Sequence, residues 1–378
     1  MRRRTGLTLA SAVMAAIAGM APAAHAAPGV REPAYQEQLD RYRVGTGSIG
    51  AMATVRDGAR VTGFGSGSGT LAPKTALGAD TRFRVGSQTK MFVAAVVLQL
   101  VDEGKVELDA PIQRYLPGVV RGKGLDPNAI TVRHLLQHRS GIKDNLGFVN
   151  GDYVQTATLL LNPRWQIKPP TPQQMVDEGT KYGKQFEPGG QGVYSNTNYT
   201  LLGMLIEKLT GTDLTTAFQR RVIARVGMPA TFYPRPGQKS LPGPYTRGYL
   251  SIKGVPFADV TGFEPAVWGA AAALVSTGRD MSRFVNALAA GKVVSPARLA
   301  DMRRTQPVGA NDYGLGLIAF KTSCGTAWGH TGSVAGYGTQ TMGNGKRALS
   351  IGINNTALIT DGNAQDALKR MTDRALCG

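Results

Sequence analysis

The chain contains 378 residues, of which 42% are hydrophobic and 18% charged, and this composition excludes a disordered or membrane-spanning protein. The length allows one large domain or two interlocked ones. With four histidines and two cysteines in the whole chain, the sequence predicts no zinc site of the usual kind and no cofactor.

The first residues have the pattern of an export signal. Three arginines at positions 2–4 precede the apolar stretch 7–17, and Ala24-His25-Ala26 forms a small-x-small cleavage site. We expect cleavage after Ala26, so that residues 1–26 are a signal peptide. No later stretch approaches the ~20 apolar residues of a membrane span. The sequence therefore predicts a secreted protein without a membrane anchor.

The formal net charge of +18 is compatible with several anionic partners. No run of basic residues with interleaved aromatic residues marks a nucleic-acid site, and we expect no nucleic-acid partner for an exported protein. The charge is explained by general solubility, and the alternative is retention on anionic cell-wall polymers.

The N-terminal part of the mature chain is predicted to begin an α/β unit. A first helix ends over 36–42, and the segments 48–55 and 60–65 flank an Asp-Gly turn as the strands of a hairpin. The apolar run 91–101 is long enough for a buried helix, which Gly104 would terminate.

The middle of the chain, 111–262, differs in pattern. Short helical stretches, such as 132–137 and 198–209, alternate with loops rich in proline and glycine, which indicates a mainly helical region. His134 and His138 lie on one face of a predicted helix, but with no third ligand nearby we interpret them as structural.

The last eighty or so residues return to strands before a closing helix over 359–376. Four β-like segments are predicted, at 313–322, 327–334, 337–342 and 348–354. Strands at both chain ends predict an α/β fold in which an antiparallel sheet is built from both ends and flanked by helices. We divide 27–378 into an α/β part, 27–110 with 263–378, and a helical insert, 111–262. The active site would lie in the cleft between them.

The two cysteines, Cys324 and Cys377, lie near the C-terminus. In an oxidising compartment they are most simply explained as a disulfide, and the alternative is two buried free thiols.

The first motif that carries chemistry is Ser-x-x-Lys at Ser87 and Lys90. Residues three apart share one face of a helix, so the amine can reach the hydroxyl and activate it as a nucleophile. Ser140 and Lys143 match the same motif. Only Ser87 precedes a long apolar helix, which would direct its N–H toward an oxyanion.

Two further motifs are weak in isolation. Tyr194 and Asn196 form a Tyr-x-Asn motif, in which a tyrosine can transfer protons and an amide can bind a substrate amide. His330 begins a His-Thr-Gly sequence on a predicted strand, where Thr331 and Ser333 offer hydroxyl groups. The alternatives are a tyrosine that packs in a loop and a structural histidine.

Taken together and in this order, the three motifs resemble those of the penicillin-recognising serine enzymes, whose signature is Ser-x-x-Lys, Ser-Asp-Asn and Lys-Thr-Gly. Tyr-x-Asn in place of Ser-Asp-Asn resembles the second motif of the class C β-lactamase and DD-peptidase branch. His-Thr-Gly in place of Lys-Thr-Gly resembles the third motif of secreted soluble actinomycete D-alanyl-D-alanine carboxypeptidases. The resemblance covers nearly the whole mature chain. Its further segments are 83–87, 98–105, 130–133, 138–141, 194–198, 203–211 and 313–317.

This resemblance implies roles for the motif residues. Ser87 would attack the substrate carbonyl and form an acyl-enzyme, and Lys90 and Tyr194 would share the proton transfers. Asn196 would bind the acyl-side amide of the substrate. His330 would replace the usual lysine as a proton or charge partner.

The resemblance also implies the walls of the cleft. Ser333 would supply its N–H to an oxyanion hole beside the N–H of the nucleophile, Thr331 would contribute to substrate binding, and Trp268 would line the cleft. It further implies pairing of Cys324 with Cys377.

The expected function is therefore that of a serine D-Ala-D-Ala carboxypeptidase. Its partners would be a peptidoglycan stem peptide or another acyl-D-amino-acid substrate, with β-lactams as covalent inhibitors. A β-lactamase, an esterase or a D-amino-acid amidase on the same fold is the alternative. The remaining alternative is a non-catalytic penicillin sensor that binds the cell wall. Such proteins usually lose the nucleophile, the lysine or the tyrosine, and all three are present here.

One feature departs from the resemblance. The related carboxypeptidases bind the terminal carboxylate with an arginine from the strand before His-Thr-Gly, and here the equivalent position is Leu317 or Ile318. Ala335 replaces a glutamine beside the same pocket. Lys321 could substitute only if a bulge turned it to the other face. We therefore expect poor cleavage of D-Ala-D-Ala peptides and tolerance of amides or esters.

Overall fold

The computed structural model describes residues 32–146, 162–252, 255–355 and 361–378. The predicted signal peptide lies outside them. The strands are β1 Gly50–Asp57, β2 Arg60–Gly67, β3 Arg82–Arg84, β4 Tyr249–Ile252, β5 Val255–Asp259, β6 Val275–Thr277, β7 Gln306–Val308, β8 Asn311–Tyr313, β9 Ile318–Thr322, β10 Gly325–Val334, β11 Tyr337–Gly343 and β12 Arg347–Ile353. The α-helices are α1 Glu32–Gly45, α2 Thr89–Asp102, α3 Ile112–Tyr115, α4 Val132–Leu136, α5 Pro163–Ile167, α6 Pro172–Thr180, α7 Asn196–Thr210, α8 Leu214–Phe218, α9 Ala224–Val226, α10 Gly269–Ala272, α11 Gly278–Ala289, α12 Pro296–Met302 and α13 Gly362–Cys377.

An antiparallel sheet of eight strands joins the two ends of the chain, in the order β2-β1-β12-β11-β10-β9-β8-β7. The hairpin β1–β2 turns at Gly58, with Asp57 paired to Arg60, and β1 then pairs with β12 from the C-terminal end. The predicted α/β fold class, with an antiparallel sheet assembled from both chain ends, is confirmed.

Helices cover both faces of the central strands. On one face, Tyr35 and Leu39 of α1 and Met371 of α13 belong to the same buried cluster as Ala53 of β1 and Ile351 of β12. On the other face, α11 packs against β1, β11 and β12. Strand β1 is consequently buried from Gly50 to Arg56, although it lies only one strand from the sheet edge.

Helix α2 is the central helix of the larger core. All residues from Thr89 to Leu100 are buried, which agrees with the apolar run that predicted a buried helix. Phe92 stacks on Phe284 of α11 at a centroid distance of 4.1 Å, and lies 6.2 Å from the ring of Phe218 in α8. The residues immediately before α2 are thereby held against a rigid core.

The middle of the chain is less uniformly helical than the sequence predicts. Strands β4 and β5 form a separate two-stranded sheet within it.

The predicted strand 313–322 is interrupted, because Gly316 has a φ of +72° and separates β8 from β9. A Cβ at Gly316 would lie 2.5 Å from that of Ala94 in α2, so the interruption lets the chain pass close to the central helix. The division at 111 and 262 stays a prediction.

Strand β10 passes unusually close to the 3₁₀ turn Gly86–Gln88 that precedes α2. A Cβ at Gly332 would lie 2.1 Å from the carbonyl oxygen of Val85, and one at Gly86, whose φ is +59°, 2.9 Å from the backbone nitrogen of Ser333. Only glycine fits at both positions, so two backbones can come into contact here.

The disulfide predicted from the two cysteines is present. Cys324, in the β9–β10 hairpin, is bonded to Cys377 at the end of α13. The backbone N–H of Ser323 also donates a hydrogen bond to Asp373 of α13, at 2.8 Å. Within the described residues, no helix combines the length and apolar character that would cross a membrane.

We predict that Gly332→Ala lowers the free energy of unfolding by about 1–3 kcal/mol, because the new methyl group would overlap the Val85 carbonyl and displace β10. Urea denaturation measures the change. Gly78→Ala is the control, since a Cβ at Gly78 has no heavy atom within 4 Å. Equal stability of the two variants would contradict the close approach of the backbones.

We predict that replacing Cys324 and Cys377 together by serine lowers the free energy of unfolding by roughly 4 kcal/mol. The bonded cysteines are 53 positions apart, and a cross-link over that length restricts the unfolded chain by about this amount in the chain-entropy model. The measurement compares denaturation of the variant with that of the oxidised protein. Two alkylatable thiols in the unreduced protein would contradict the bond.

Candidate active site

Ser87 and Lys90 lie at the start of the central helix, within reach of each other. The Lys90 amine is 3.2 Å from the Ser87 hydroxyl oxygen, and Ser87 is half-buried while Lys90 is fully buried. Two further acceptors hold the amine, the side-chain oxygen of Asn196 at 2.7 Å and the backbone oxygen of Ala271 at 3.0 Å. The three contacts match the three donors of an ammonium group and fix its position.

The buried position changes the acidity of the Lys90 amine. Burial lowers the pKa of Lys90 to about 7, although the negative charge of Asp144 acts in the opposite direction. At neutral pH a large fraction of the amine is therefore unprotonated. An amine in that form can accept the proton of the Ser87 hydroxyl.

Tyr194, the first residue of the second motif, lies beside this pair. Its side chain is hydrogen-bonded to Ser87, and the Lys90 nitrogen is 4.7 Å from the centre of its ring. Burial raises the pKa of Tyr194 well above its usual value, so the phenol is neutral and keeps a proton to donate.

Asn196 is bound at both ends of its amide. Its oxygen accepts from Lys90, and its nitrogen donates to the Asp144 carboxylate at 2.8 Å. The expected role in binding a substrate amide therefore rests on the second N–H of the same nitrogen. In this structure the side chain first of all positions Lys90.

His330 is buried behind the cleft rather than presented to it. Its Nδ1 faces the carbonyl oxygen of Thr331, which only an N–H can satisfy, and its Nε2 is 3.0 Å from the hydroxyl of Tyr313. Burial, assisted by the nearby Lys90, lowers the pKa of His330 to about 3. The imidazole is neutral, so the geometry departs from the expected role as a charge partner.

The other two polar residues of the third motif segment, Thr331 and Ser333, are exposed. His330, Gly332 and Val334 are buried, as alternation along a strand requires. The backbone nitrogen of Ser333 lies next to Gly86, one residue before the nucleophile. This is where the second donor of an oxyanion hole is expected.

Trp268 does not have the position expected of it. The side chain is 2% exposed and lies in the large core, with its ring centre 5.8 Å from that of Phe263. It immediately precedes the short α10, whose Ala271 oxygen binds Lys90. Because its surface is covered by neighbouring side chains, it supports the wall of the site instead of lining the cleft.

The second Ser-x-x-Lys match is structural. The Ser140 hydroxyl is buried, accepts the N–H of Ile142 and contacts the side-chain oxygen of Asn198 at 2.6 Å. Lys143 supplies its backbone oxygen to the hydroxyl of Ser195. The motif thus holds the segment before α7 in place.

Sequence reasoning missed two residues that contact the motifs. Asp144 accepts both the backbone and the side-chain N–H of Asn196. His138, interpreted as structural, is fully buried beyond the end of α4, and its ring lies 4.2 Å from that of Tyr194. Its Nδ1 accepts the N–H of Ser195 at 3.2 Å. No local pattern links either residue to the site, because their partners in the motif segment 194–196 are more than fifty positions away.

The strand beside His330 carries no cation at its near end. Leu317 and Ile318 are 1% and 3% exposed, and Ile318 pairs with Gly329. Lys321 is opposite Thr326, which lies five residues before Thr331 on β10, or about 17 Å at the usual rise of a strand. Among the residues whose placement is described, no group of three His, Cys, Asp or Glu could hold a metal ion.

Comparison with known proteins agrees with this geometry. The solved structure of a D-stereospecific amidohydrolase from Streptomyces sp. superposes with a TM-score of 0.78, at 34% identity over 89% of this chain and 98% of that one. The solved structure of the D-amino acid amidase from Ochrobactrum anthropi SV3, complexed with L-phenylalanine amide, superposes with a TM-score of 0.77. The two chains are 28% identical, and the match covers 91% of this chain and 97% of that one.

Curated relatives are similar in sequence but longer. A D-aminopeptidase from Brucella anthropi is 27% identical over 301 residues, which are 78% of this chain and 53% of the relative. The chain likewise spans 57% and 64% of the length of two other curated relatives, the second of which is a Bacillus subtilis protein named as a putative penicillin-binding protein. The Beta-lactamase family model matches residues 16–374. The chain therefore belongs to the Beta-lactamase family, and its fold is that of the serine penicillin-recognising enzymes.

Proposed function

We propose that the protein is an exported serine hydrolase that cleaves amide bonds on the carbonyl side of D-amino acids and prefers leaving groups without a free carboxylate. The observation that carries this proposal is the apolar pair Leu317 and Ile318, at the place where a terminal carboxylate would need a cation. The likeness to a D-stereospecific amidohydrolase and a D-amino acid amidase supports the same substrate class.

The proposed reaction begins with acylation. The Ser87 oxygen attacks the substrate carbonyl carbon while its proton passes to the neutral amine of Lys90. The N–H groups of Ser87 and Ser333 stabilise the resulting oxyanion. The carbon–nitrogen bond then breaks, and the leaving amine receives a proton from the Tyr194 hydroxyl, while Tyr194 recovers a proton from the Lys90 ammonium that was formed in the attack.

Deacylation reverses the roles of the proton carriers. A water molecule attacks the ester carbonyl of acyl-Ser87, and its proton passes to the Tyr194–Lys90 pair. The Ser87 oxygen recovers a proton as the ester bond breaks, and the product acid leaves. The enzyme returns to its starting state with one amide bond and one water consumed.

A D-Ala-D-Ala carboxypeptidase that acts on peptidoglycan stem peptides is the second candidate. It is favoured by the His-Thr-Gly motif and by relatives named as penicillin-binding proteins. On the structure, its terminal carboxylate would have to be held by neutral groups such as the Thr331 and Ser333 hydroxyls. A desolvated carboxylate that lacks a cationic partner loses roughly 2–3 kcal/mol of binding.

The substrate proposal is tested by comparing kcat/KM for an acyl-D-Ala-D-Ala peptide with that for its C-terminal amide, and for D- and L-phenylalanine amide. We expect the peptide amide to be cleaved at least as fast as the acid, and the D-amino-acid amide faster than its L-isomer. Ser87→Ala is the control and should abolish all four activities while leaving thermal stability nearly unchanged.

A preference for the free acid of a hundredfold or more would refute the amide proposal and favour the carboxypeptidase. Mass mapping of a fluorescent penicillin adduct, expected on Ser87, identifies the nucleophile independently of the substrate. Label on Ser140 would overturn the whole assignment.

We also predict that Lys90→Arg loses acylation by about 10²–10⁴-fold, since an arginine cannot give up its proton. In the wild type, kcat/KM should rise with pH and reach its half-maximum near pH 7, where the Lys90 amine with its lowered pKa deprotonates. Lys143→Arg, in the second Ser-x-x-Lys segment, is the matched control and should keep full activity. An active Lys90→Arg enzyme would assign the base to Tyr194.

A further inference from the structure

Asp144 is a buried carboxylate at the end of a chain of hydrogen bonds that leads to the nucleophile. Its oxygens accept the backbone N–H of Asn196 at 2.6 Å, the side-chain N–H of Asn196 at 2.8 Å and the backbone N–H of Leu146 at 2.6 Å. The other end of the Asn196 amide accepts from Lys90, and Lys90 contacts Ser87. Four side chains are thus connected without a gap.

The carboxylate determines which way the Asn196 amide faces. An asparagine amide can be rotated so that its oxygen and nitrogen exchange places, and only hydrogen-bond partners decide between the two orientations. Asp144 accepts but cannot donate when ionised, so the nitrogen of Asn196 must face it. The amide oxygen is then directed at Lys90, which needs an acceptor. In the reverse orientation, the amide nitrogen would face the N–H donors of Lys90, and the amide oxygen would face the carboxylate oxygens of Asp144. Neither end could then form a hydrogen bond.

The carboxylate also determines the charge around Lys90. His138 and His330 lie near the amine, and burial, assisted by Lys90, lowers the pKa of each, so both are neutral. Tyr194 and Tyr199 present ring faces at 4.7 Å and 5.3 Å from the amine nitrogen. Burial raises the pKa of both phenols, so both are neutral, and Asp144 is the one carboxyl group among the described residues that face Lys90.

We propose that Asp144 is a positioning residue that orients the Lys90 amine toward Ser87 through the Asn196 amide and supplies the counter-charge for that buried amine. The catalytic consequence rests on the proposed role of Lys90 as base. The structural consequence does not, because the protonation of Lys90 can be measured without a substrate.

The first experiment measures the Lys90 pKa directly, from the Cε resonance of protein labelled with ¹³C-lysine, assigned by its loss in Lys90→Arg. Removing the negative charge in Asp144→Asn should lower the Lys90 pKa by about one to two units, because the ammonium form loses its counter-charge. Asp144→Ser, which is also neutral, should shift it equally and replaces the first variant if that one does not fold. Asp144→Glu keeps the charge and should leave the pKa within half a unit of the wild type.

Asp280→Asn is the matched control. Asp280 is also a buried aspartate whose pKa is raised by burial, but its carboxylate accepts from Ala230 and Thr231 at 2.9 Å and has no contact with the motif residues. Its replacement should lower stability and leave the Lys90 pKa unchanged. A change seen in both variants would indicate a general effect of buried charge and would overturn the proposal.

The second experiment separates positioning from folding. For Asp144→Asn, the half-maximum of kcat/KM on the acidic side should move to lower pH with the Lys90 pKa, while kcat on its plateau falls at least tenfold and KM changes less than threefold. An unchanged Lys90 pKa in both neutral variants would reduce Asp144 to a structural residue. If the wild type cleaves none of the D-amides, the proposed substrate class fails, but the titration of Lys90 still decides the role of Asp144.

Discussion

The active site depends on a buried amine, that of Lys90, which can still be protonated near neutral pH. Lys90 lies in the first turn of a mostly apolar helix that is buried from Thr89 to Leu100, so the amine is surrounded by protein rather than water. Desolvation of this kind lowers a lysine pKa by several units and would leave the group inert if nothing acted in the opposite direction. The acceptors around it, Ser87, Asn196 and Ala271, come from three separate segments of the chain. The fold can therefore be described as the scaffold that brings these three segments to one buried amine.

A second constraint brings the substrate-binding strand to the nucleophile. Strand β10 can approach the turn before α2 only because Gly86 and Gly332 carry no side chain at the contact. The strand is fixed from its other side by β11 and β12, and these by β1, so the position of Ser333 depends on pairing between the two ends of the chain. This explains why an active site whose residues are as far apart in sequence as Ser87 and Ser333 needs a sheet that joins the two ends of the chain.

The sequence predicted the parts of this arrangement that depend on local pattern. The hairpin at Gly58 and the buried helix after Ser87 have their own turn and periodicity signals, and the three motifs were predicted from residue types and order. Contacts over long distances in sequence left no such signal. Asp144 meets Asn196 across 52 positions, and nothing near Asp144 distinguishes it from a loop aspartate. Trp268 was placed in the cleft by resemblance, whereas the packing that buries it against Phe263 is a property of the folded core.

The neutral His330 and the apolar Leu317 and Ile318 have a common consequence. A cation beside the third motif would bind an anionic leaving group, but it would also repel the protonated amine of Lys90 and lower its pKa further. Here burial, assisted by the nearby Lys90, keeps the histidine neutral, and Leu317 and Ile318 are apolar, so these three residues add no positive charge on the leaving-group side. The pKa of Lys90 is then determined by burial, which lowers it, and by Asp144, which raises it. The absence of a cation at His330, Leu317 and Ile318 is the physical reason for proposing amides among the protein's substrates.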